Sequence, residues 1–173
     1  MKRRGFLLGS AAIVGGASCG YKVAGKADLV PKDIQSIGIP PFANATKYYK
    51  LTEKLPSAIT REFIARTKYQ ILPDANGADA VLKGSVNLVL TYPTVFDQTT
   101  GRAAGVQVQT VIAVTLTHAR TGAAIYSNPA LDFRQLYEIS TDPLVYFDES
   151  STAFQRLSRD VAANVVTAIL ENF

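Results

Sequence analysis

The chain of 173 residues has the length of one domain, and its 47% hydrophobic and 18% charged residues supply a core and exclude a disordered chain. Its formal charge of +4 includes Lys2, Arg3 and Arg4; the 18 basic residues less these three leave 15 against 14 acidic ones, which does not argue for a nucleic-acid binder, and no nucleic-acid partner is expected. A single cysteine and a single histidine exclude an intrachain disulfide and a Cys/His zinc site, and they leave only His118 for a Ser-His-Asp or Cys-His machine.

In chain order, MKRRGFLLGSAAIVGGASC opens with basic residues, runs apolar from Gly5 to Val14 and ends in small residues before Cys19. That is the layout of a secretory signal peptide over residues 1–18, and it is too short and too glycine-rich for a spanning helix. Gly16-Ala17-Ser18-Cys19 resembles a bacterial lipobox, whose cysteine becomes the acylated first residue of the mature chain, although Gly16 stands where leucine is usual. Arg3-Arg4-Gly5-Phe6-Leu7 resembles a twin-arginine core. Acyl chains on Cys19, each buried methylene contributing roughly 0.8 kcal/mol, would hold a soluble domain on a membrane. Gly20 follows the cysteine in place of the aspartate that retains many lipoproteins at the inner membrane, so the outer membrane is expected. Residues 19–33 then form the lipidated N-terminus and tether, and residues 34–173 a single domain.

Within that domain Ile34–Pro40 predicts a first strand, closed by Pro40-Pro41, with a loop over 41–50. A helix is expected over Thr52–Arg66, with Thr52 as N-cap, Pro56 in the first turn and Leu51, Leu55, Ile59 and Phe63 on one face. A short strand follows over Tyr69–Leu72. A long strand over 80–92 is expected to turn Leu82, Val86, Leu88, Leu90 and Tyr92 to one side and Lys83, Ser85, Asn87 and Thr91 to the other. After a turn-rich connection at 93–105, the strand over 106–118 points Val106, Val108, Ile112, Val114 and Leu116 inward. Arg120-Thr121-Gly122 turns into a further strand from Ala123, interrupted near Asn128-Pro129. The last helix, about Asp148 to Glu171, is capped by Ser150 or Ser151 and carries a stripe of Phe154, Leu157, Val161, Val165, Ala168 and Ile169. The sum is an α+β domain in which two helices cover one face of a mostly antiparallel sheet of about four strands, the other face carrying Gln, Thr and Asn.

No reaction centre emerges, and neither an enzymatic activity, a cofactor nor a metal is expected. The glycines match no phosphate loop, and Asp97, Asp132, Asp142, Asp148 and Glu149 show no glycosidase or metal spacing. His118 ends a strand, as a hydrogen-bonding residue. The basic group Lys47, Lys50, Lys54, Arg61, Arg66 and Lys68 reads either as a solvated helix face or as a surface for phosphorylated lipid or an acidic partner wall. Lys50, Lys54 and Arg61, with Arg102 in the 93–105 connection, are its candidate contacts.

CGYKVAG after the lipobox, IQSIGIPPFANAT, YKLTEKLPSAITREFIART, the long strand pair and RDVAANVVTAILENF together resemble, in their order, the LPS-assembly lipoproteins. The resemblance implies two helices against a mostly antiparallel sheet. It also implies a palmitoylated subunit of a Gram-negative outer membrane, on the periplasmic side, that assists assembly of, and plugs, the large β-barrel delivering lipopolysaccharide to the surface. Lipopolysaccharide and that barrel are then its partners. IGIPPFANAT also faintly resembles periplasmic lipoprotein adaptors that activate cell-wall synthases or build secretion pores.

Overall fold

The computed structural model describes residues 33–139 and 150–171. The signal peptide, Cys19, the tether apart from Asp33, and Asp142, Asp148 and Glu149 lie outside the described residues. The elements run β1 (Ser36–Gly38), β2 (Ala43–Asn44), α1 (Tyr49–Arg66), β3 (Gln70–Leu72), β4 (Ala80–Phe96), β5 (Ala103–His118), β6 (Ala124–Glu138) and α2 (Ser150–Glu171). The class is the α+β one expected from sequence, but the sheet has six strands, in the order β3-β1-β4-β5-β6 with β2 also on β4. The one strand with no counterpart in the sequence reading is the shortest. β2, inside the expected loop, pairs parallel with β4 through two residues, and β1 lies parallel to both β3 and β4. The long β4–β5–β6 meander is antiparallel.

Alternation in β5 is the most regular feature: Val106, Val108, Ile112, Val114 and Leu116 are all buried, as their spacing predicts. They meet Leu51, Leu55, Ile59 and Phe63 of α1 and Phe154, Leu157, Val161, Val165 and Ile169 of α2 in one core. The buried face of α2 is wider than the expected stripe, since Ala153, Ser158, Ala162 and Val166 are buried too. Between β4 and the helices the Phe42 ring lies over Gly84, occupying the space a Cβ would need.

The start of α1 departs from expectation. Its first residue is Tyr49, its N-cap Tyr48 makes no side-chain cap bond, and Pro56 sits inside the helix. Burial of Leu51 at 0% exposure carries the helix a turn further back than capping chemistry indicates. Proline's missing amide deprives the Thr52 carbonyl of its helical donor, and the Thr52 hydroxyl, far from capping anything, is buried without a partner. The helices run side by side in the same direction. Tyr48 meets Phe154 near their N-termini, ring centroids 6.1 Å apart, and Arg66 bonds Thr167 Oγ1 at 2.6 Å near their C-termini.

Along β4 the expected facing holds only to Val86. Val86 pairs with Ile112 but Leu88 with Val111, so Asn87 is an extra residue, a β-bulge. Beyond it the phase flips. Val89 turns to the core, while Leu88, Leu90 and Tyr92, expected inside, stand on the outer face at 38%, 46% and 37% exposure. Thr110, fully buried opposite Val89, donates its hydroxyl to the Leu88 carbonyl at 2.9 Å and pins the strand beside the bulge. A second irregularity, at Asn128–Ala130 opposite Ile112–Val114, falls where Asn128-Pro129 predicts an interruption.

Candidate functional site

The parallel helices bring both N-termini to one end of the sheet. Between them opens a groove of about 300 Å3 lined by Lys47, Tyr48, Tyr49, Lys50, Thr91, Tyr137, Ser150 and Phe154. Four separate elements and the lead-in to α1 build it. The run Lys47-Tyr48-Tyr49-Lys50 supplies two cations and two rings; β4 gives Thr91, β6 gives Tyr137, and α2 gives Ser150 and Phe154. The lead-in is shaped by an Asn44–Thr46 turn, in which Asn44 Oδ1 accepts from the Thr46 amide and hydroxyl, each at 2.8 Å, and Thr46 Oγ1 accepts from the Tyr48 amide at 3.1 Å. Tyr48 Oη shares a hydrogen bond with Thr91 Oγ1 at 3.2 Å, tying the lead-in to the sheet.

The described lining of the groove is basic for two reasons. Lys47 and Lys50 are exposed, and neither helix carries an acidic residue in its described first turn, so the α1 amides add their partial positive charge. Aromatic faces beside cations suit a ligand that combines anionic groups with sugar or apolar surface.

The sequence-predicted residues separate. Lys50 lines the groove; Lys54 is half-buried one turn further along α1. Arg61 is exposed roughly 16 Å along the helix from Lys50. Arg102 is exposed in the β4–β5 turn, where Asp97 Oδ1 accepts from the amides of Thr99 (3.1 Å) and Thr100 (2.6 Å) and from the Thr100 hydroxyl (2.8 Å). These bonds, the Thr100 amide first, hold the Asp97 carboxyl below its usual range. Arg66 is engaged with Glu62 and Thr167 in the seam between the helices. Sequence reasoning missed Tyr48, Tyr49, Tyr137 and Phe154 as site residues, although the Lys-Tyr-Tyr-Lys run is visible in the chain.

At the opposite end of the sheet lies Asp33, the first described residue. Asp33 accepts from His118 Nε2 at 3.0 Å and Arg120 at 3.3 Å, and the Arg120 amide donates to His118 Nδ1 at 3.2 Å. The histidine bond is the main cause holding the Asp33 carboxyl below its usual range. His118 is thus a hydrogen-bonding strand-end residue, as expected. Asp132 accepts from Gln109 at 2.9 and 3.1 Å and pairs with Arg134. Among the described residues no group of His, Cys, Asp and Glu is placed to hold a metal, and no helix is long and apolar enough to cross a membrane.

The outer sheet face is not uniformly polar. The Asn87 bulge leaves Leu88, Leu90 and Tyr92 beside Gln109 and Gln107, and Val95 and Leu136 close over Gly105, where an added Cβ would lie 3.0 Å from Val95 Cβ and 3.8 Å from Leu136 Cδ1. The expected wet face of Gln, Thr and Asn holds for the half carrying Lys83, Ser85, Thr115 and Ser127; the other half carries an apolar stripe.

No family model matches the chain, and no curated relative is significantly similar. Solved structures do resemble it. An uncharacterized lipoprotein B from Nitrosomonas europaea matches with a TM-score of 0.56 at 15% identity, over 86% of this chain and 91% of that one. A protein from Xanthomonas campestris matches at 0.50 and 14%, covering 81% and 88%, and a hypothetical protein from Chlamydia trachomatis at 0.50 and 14%, covering 80% and 99%. At such identities the likeness concerns the fold alone, which this chain shares with the Nitrosomonas europaea lipoprotein.

Proposed function

We propose that the protein is a lipid-anchored, non-enzymatic subunit of the outer-membrane lipopolysaccharide export complex, on the periplasmic side. In this reading it assists assembly of, and plugs, the β-barrel translocon and binds lipopolysaccharide in the Lys47–Lys50 groove. The observation that carries the reading is the groove itself. Its two lysines and the free α1 amides match the phosphates of a glycolipid, and its aromatic faces match sugar rings. The ordered resemblance of the segments to the LPS-assembly lipoproteins and the shared fold with a lipoprotein support it.

Geometry gives the groove an orientation. The chain leaves towards Cys19 from Asp33, beside His118, whereas Thr91 in the groove pairs with Val108. Ten β5 residues separate those rows, about 34 Å at the rise of an antiparallel strand. The groove thus opens at the end of the sheet opposite Asp33, and in this reading the apolar stripe on the outer face is offered to the barrel wall.

The test is direct. Lys47→Glu/Lys50→Glu should weaken lipopolysaccharide binding by about tenfold or more in a fluorescence titration, since each lost charge-assisted contact is worth roughly 1.5–3 kcal/mol. The melting temperature should not change, because both side chains are exposed. An unaltered dissociation constant would return this basic run to a solvated helix face.

A further inference from the structure

Among the described residues the far edge of the sheet is unpaired. β6 ends the strand order, and among the described residues no strand pairs with its outer side. Which backbone groups it presents follows from the ladder. The Ile139 amide donates to the Ala104 carbonyl at 3.0 Å, and the β5–β6 register runs without a shift from Gly105–Glu138 to Ile112–Leu131. Hydrogen-bonded and non-bonded pairs alternate in an antiparallel ladder, so Tyr137, Gln135, Phe133 and Leu131 bond inward to β5. Glu138, Leu136, Arg134 and Asp132 therefore aim their amides and carbonyls at the open edge. The Gln135 side-chain amide already donates to one of these carbonyls, that of Leu136, at 3.3 Å.

The first half of β6 is protected against pairing. Pro129 has no amide, and the Asn128–Ala130 irregularity turns the Ala130 amide to Asn128 Oδ1 at 3.0 Å. In the second half the Leu136 carbonyl is occupied by Gln135, and the outward backbone groups of Asp132 and Arg134 are the ones offered for pairing. That half carries the sequence Asp132-Phe133-Arg134, which is self-complementary about its centre. In a second copy laid antiparallel with its two-fold axis at Phe133, Asp132 of each chain faces Arg134 of the other. Both are residues whose backbone groups point outward, so the two pairs would exchange four backbone hydrogen bonds. Phe133 would meet its symmetry mate on the helix side of the sheet. A two-fold at Arg134 would instead oppose two arginines, so the charges select the register.

We infer that β6 pairs with β6 of a second copy of this chain through Leu131–Gln135, centred on Phe133, joining two sheets into one with the helices of both copies on the same face. Asp132 and Arg134 are exposed, with side-chain exposures of 42% and 59%, and their ion pair within the chain would be exchanged for the two pairs between chains. The interface is short, so it forms between chains concentrated on a membrane or at high protein concentration. This inference does not depend on the lipopolysaccharide reading.

Sedimentation velocity of the full acylated chain in detergent, with the micelle contribution subtracted, tests it at concentrations on the order of 100 µM. Wild type should sediment as a dimer. Asp132→Arg should weaken self-association by about tenfold or more, because both symmetric pairs become repulsive. The swap Asp132→Arg/Arg134→Asp restores the complement and should restore the dimer. Circular dichroism of each variant establishes that it is folded. A monomeric wild type, whether because another protein or another segment of this chain covers the edge or because nothing does, would overturn the inference. So would a dimer that Asp132→Arg leaves intact, or one that the swap fails to recover.

Discussion

Thr110→Val is the substitution on which the account of β4 stands or falls. Thr110 is fully buried on a strand whose inward neighbours are Val108 and Ile112, and valine matches its shape, is more apolar and favours strands. Burial and propensity alone therefore rank valine as neutral or stabilising. The structure gives the opposite sign, because the Thr110 hydroxyl donates to the Leu88 carbonyl at 2.9 Å, next to the Asn87 bulge. Removing the donor leaves a buried carbonyl short of a bond, which costs about 1–3 kcal/mol, less about 0.8 kcal/mol for the extra buried carbon. The expected net loss is about 0.2–2.2 kcal/mol, a fall in melting temperature of up to about 9 °C for a chain of this size. Thr110→Ser separates the causes: it keeps the hydroxyl and loses only the methyl, about 1 kcal/mol of burial. Urea and thermal unfolding of the three proteins measure the order. A valine variant as stable as wild type, or more so, would refute the idea that this hydroxyl pins the bulge.

Gly84→Ala should destabilise by about 1–3 kcal/mol, because its Cβ would overlap the Phe42 ring and Phe42 is itself buried; an unchanged urea midpoint would contradict that packing. Asp79 accepts from the amides of Gln35 and Ser36, both at 2.9 Å, and from the Ser36 hydroxyl at 2.8 Å. The Gln35 amide foremost, then the Ser36 groups, lower its pKa in the folded state. A depressed carboxylate pKa contributes stability that is fully present above the unfolded value near 3.9 and is lost as pH falls through the lower folded value. Asp79→Asn should therefore lower the melting temperature at neutral pH and flatten its fall below about pH 4. The fall should not vanish, since Asp33 and Asp97 are lowered too. An acid limb identical to wild type would place the linkage elsewhere.

How much was legible follows from where each pattern is set. β5 and the helix stripes read correctly because period-2 and period-3.6 burial is imposed on whole elements by one continuous core. Asn87 carries no local mark of a bulge, so alternation alone continues through it and turns Leu88, Leu90 and Tyr92 to the wrong face. Pro56 misplaced the start of α1 because a first-turn proline is the usual one, whereas here the burial of Leu51 outweighs the missing amide. β2 escaped because two residues define no period. Of the groove, Lys50 was visible as a basic residue. Its aromatic wall is assembled from α1, β6 and α2, which only the parallel packing of the helices brings together.

The measurement that tests the central claim most directly is the partner list of the tagged, acylated protein extracted from native outer membranes in mild detergent and identified by mass spectrometry. The account predicts one large outer-membrane β-barrel in stoichiometric amount, with lipopolysaccharide co-purifying. A soluble cell-wall synthase or secretion-pore components in its place, with no barrel recovered, would contradict it.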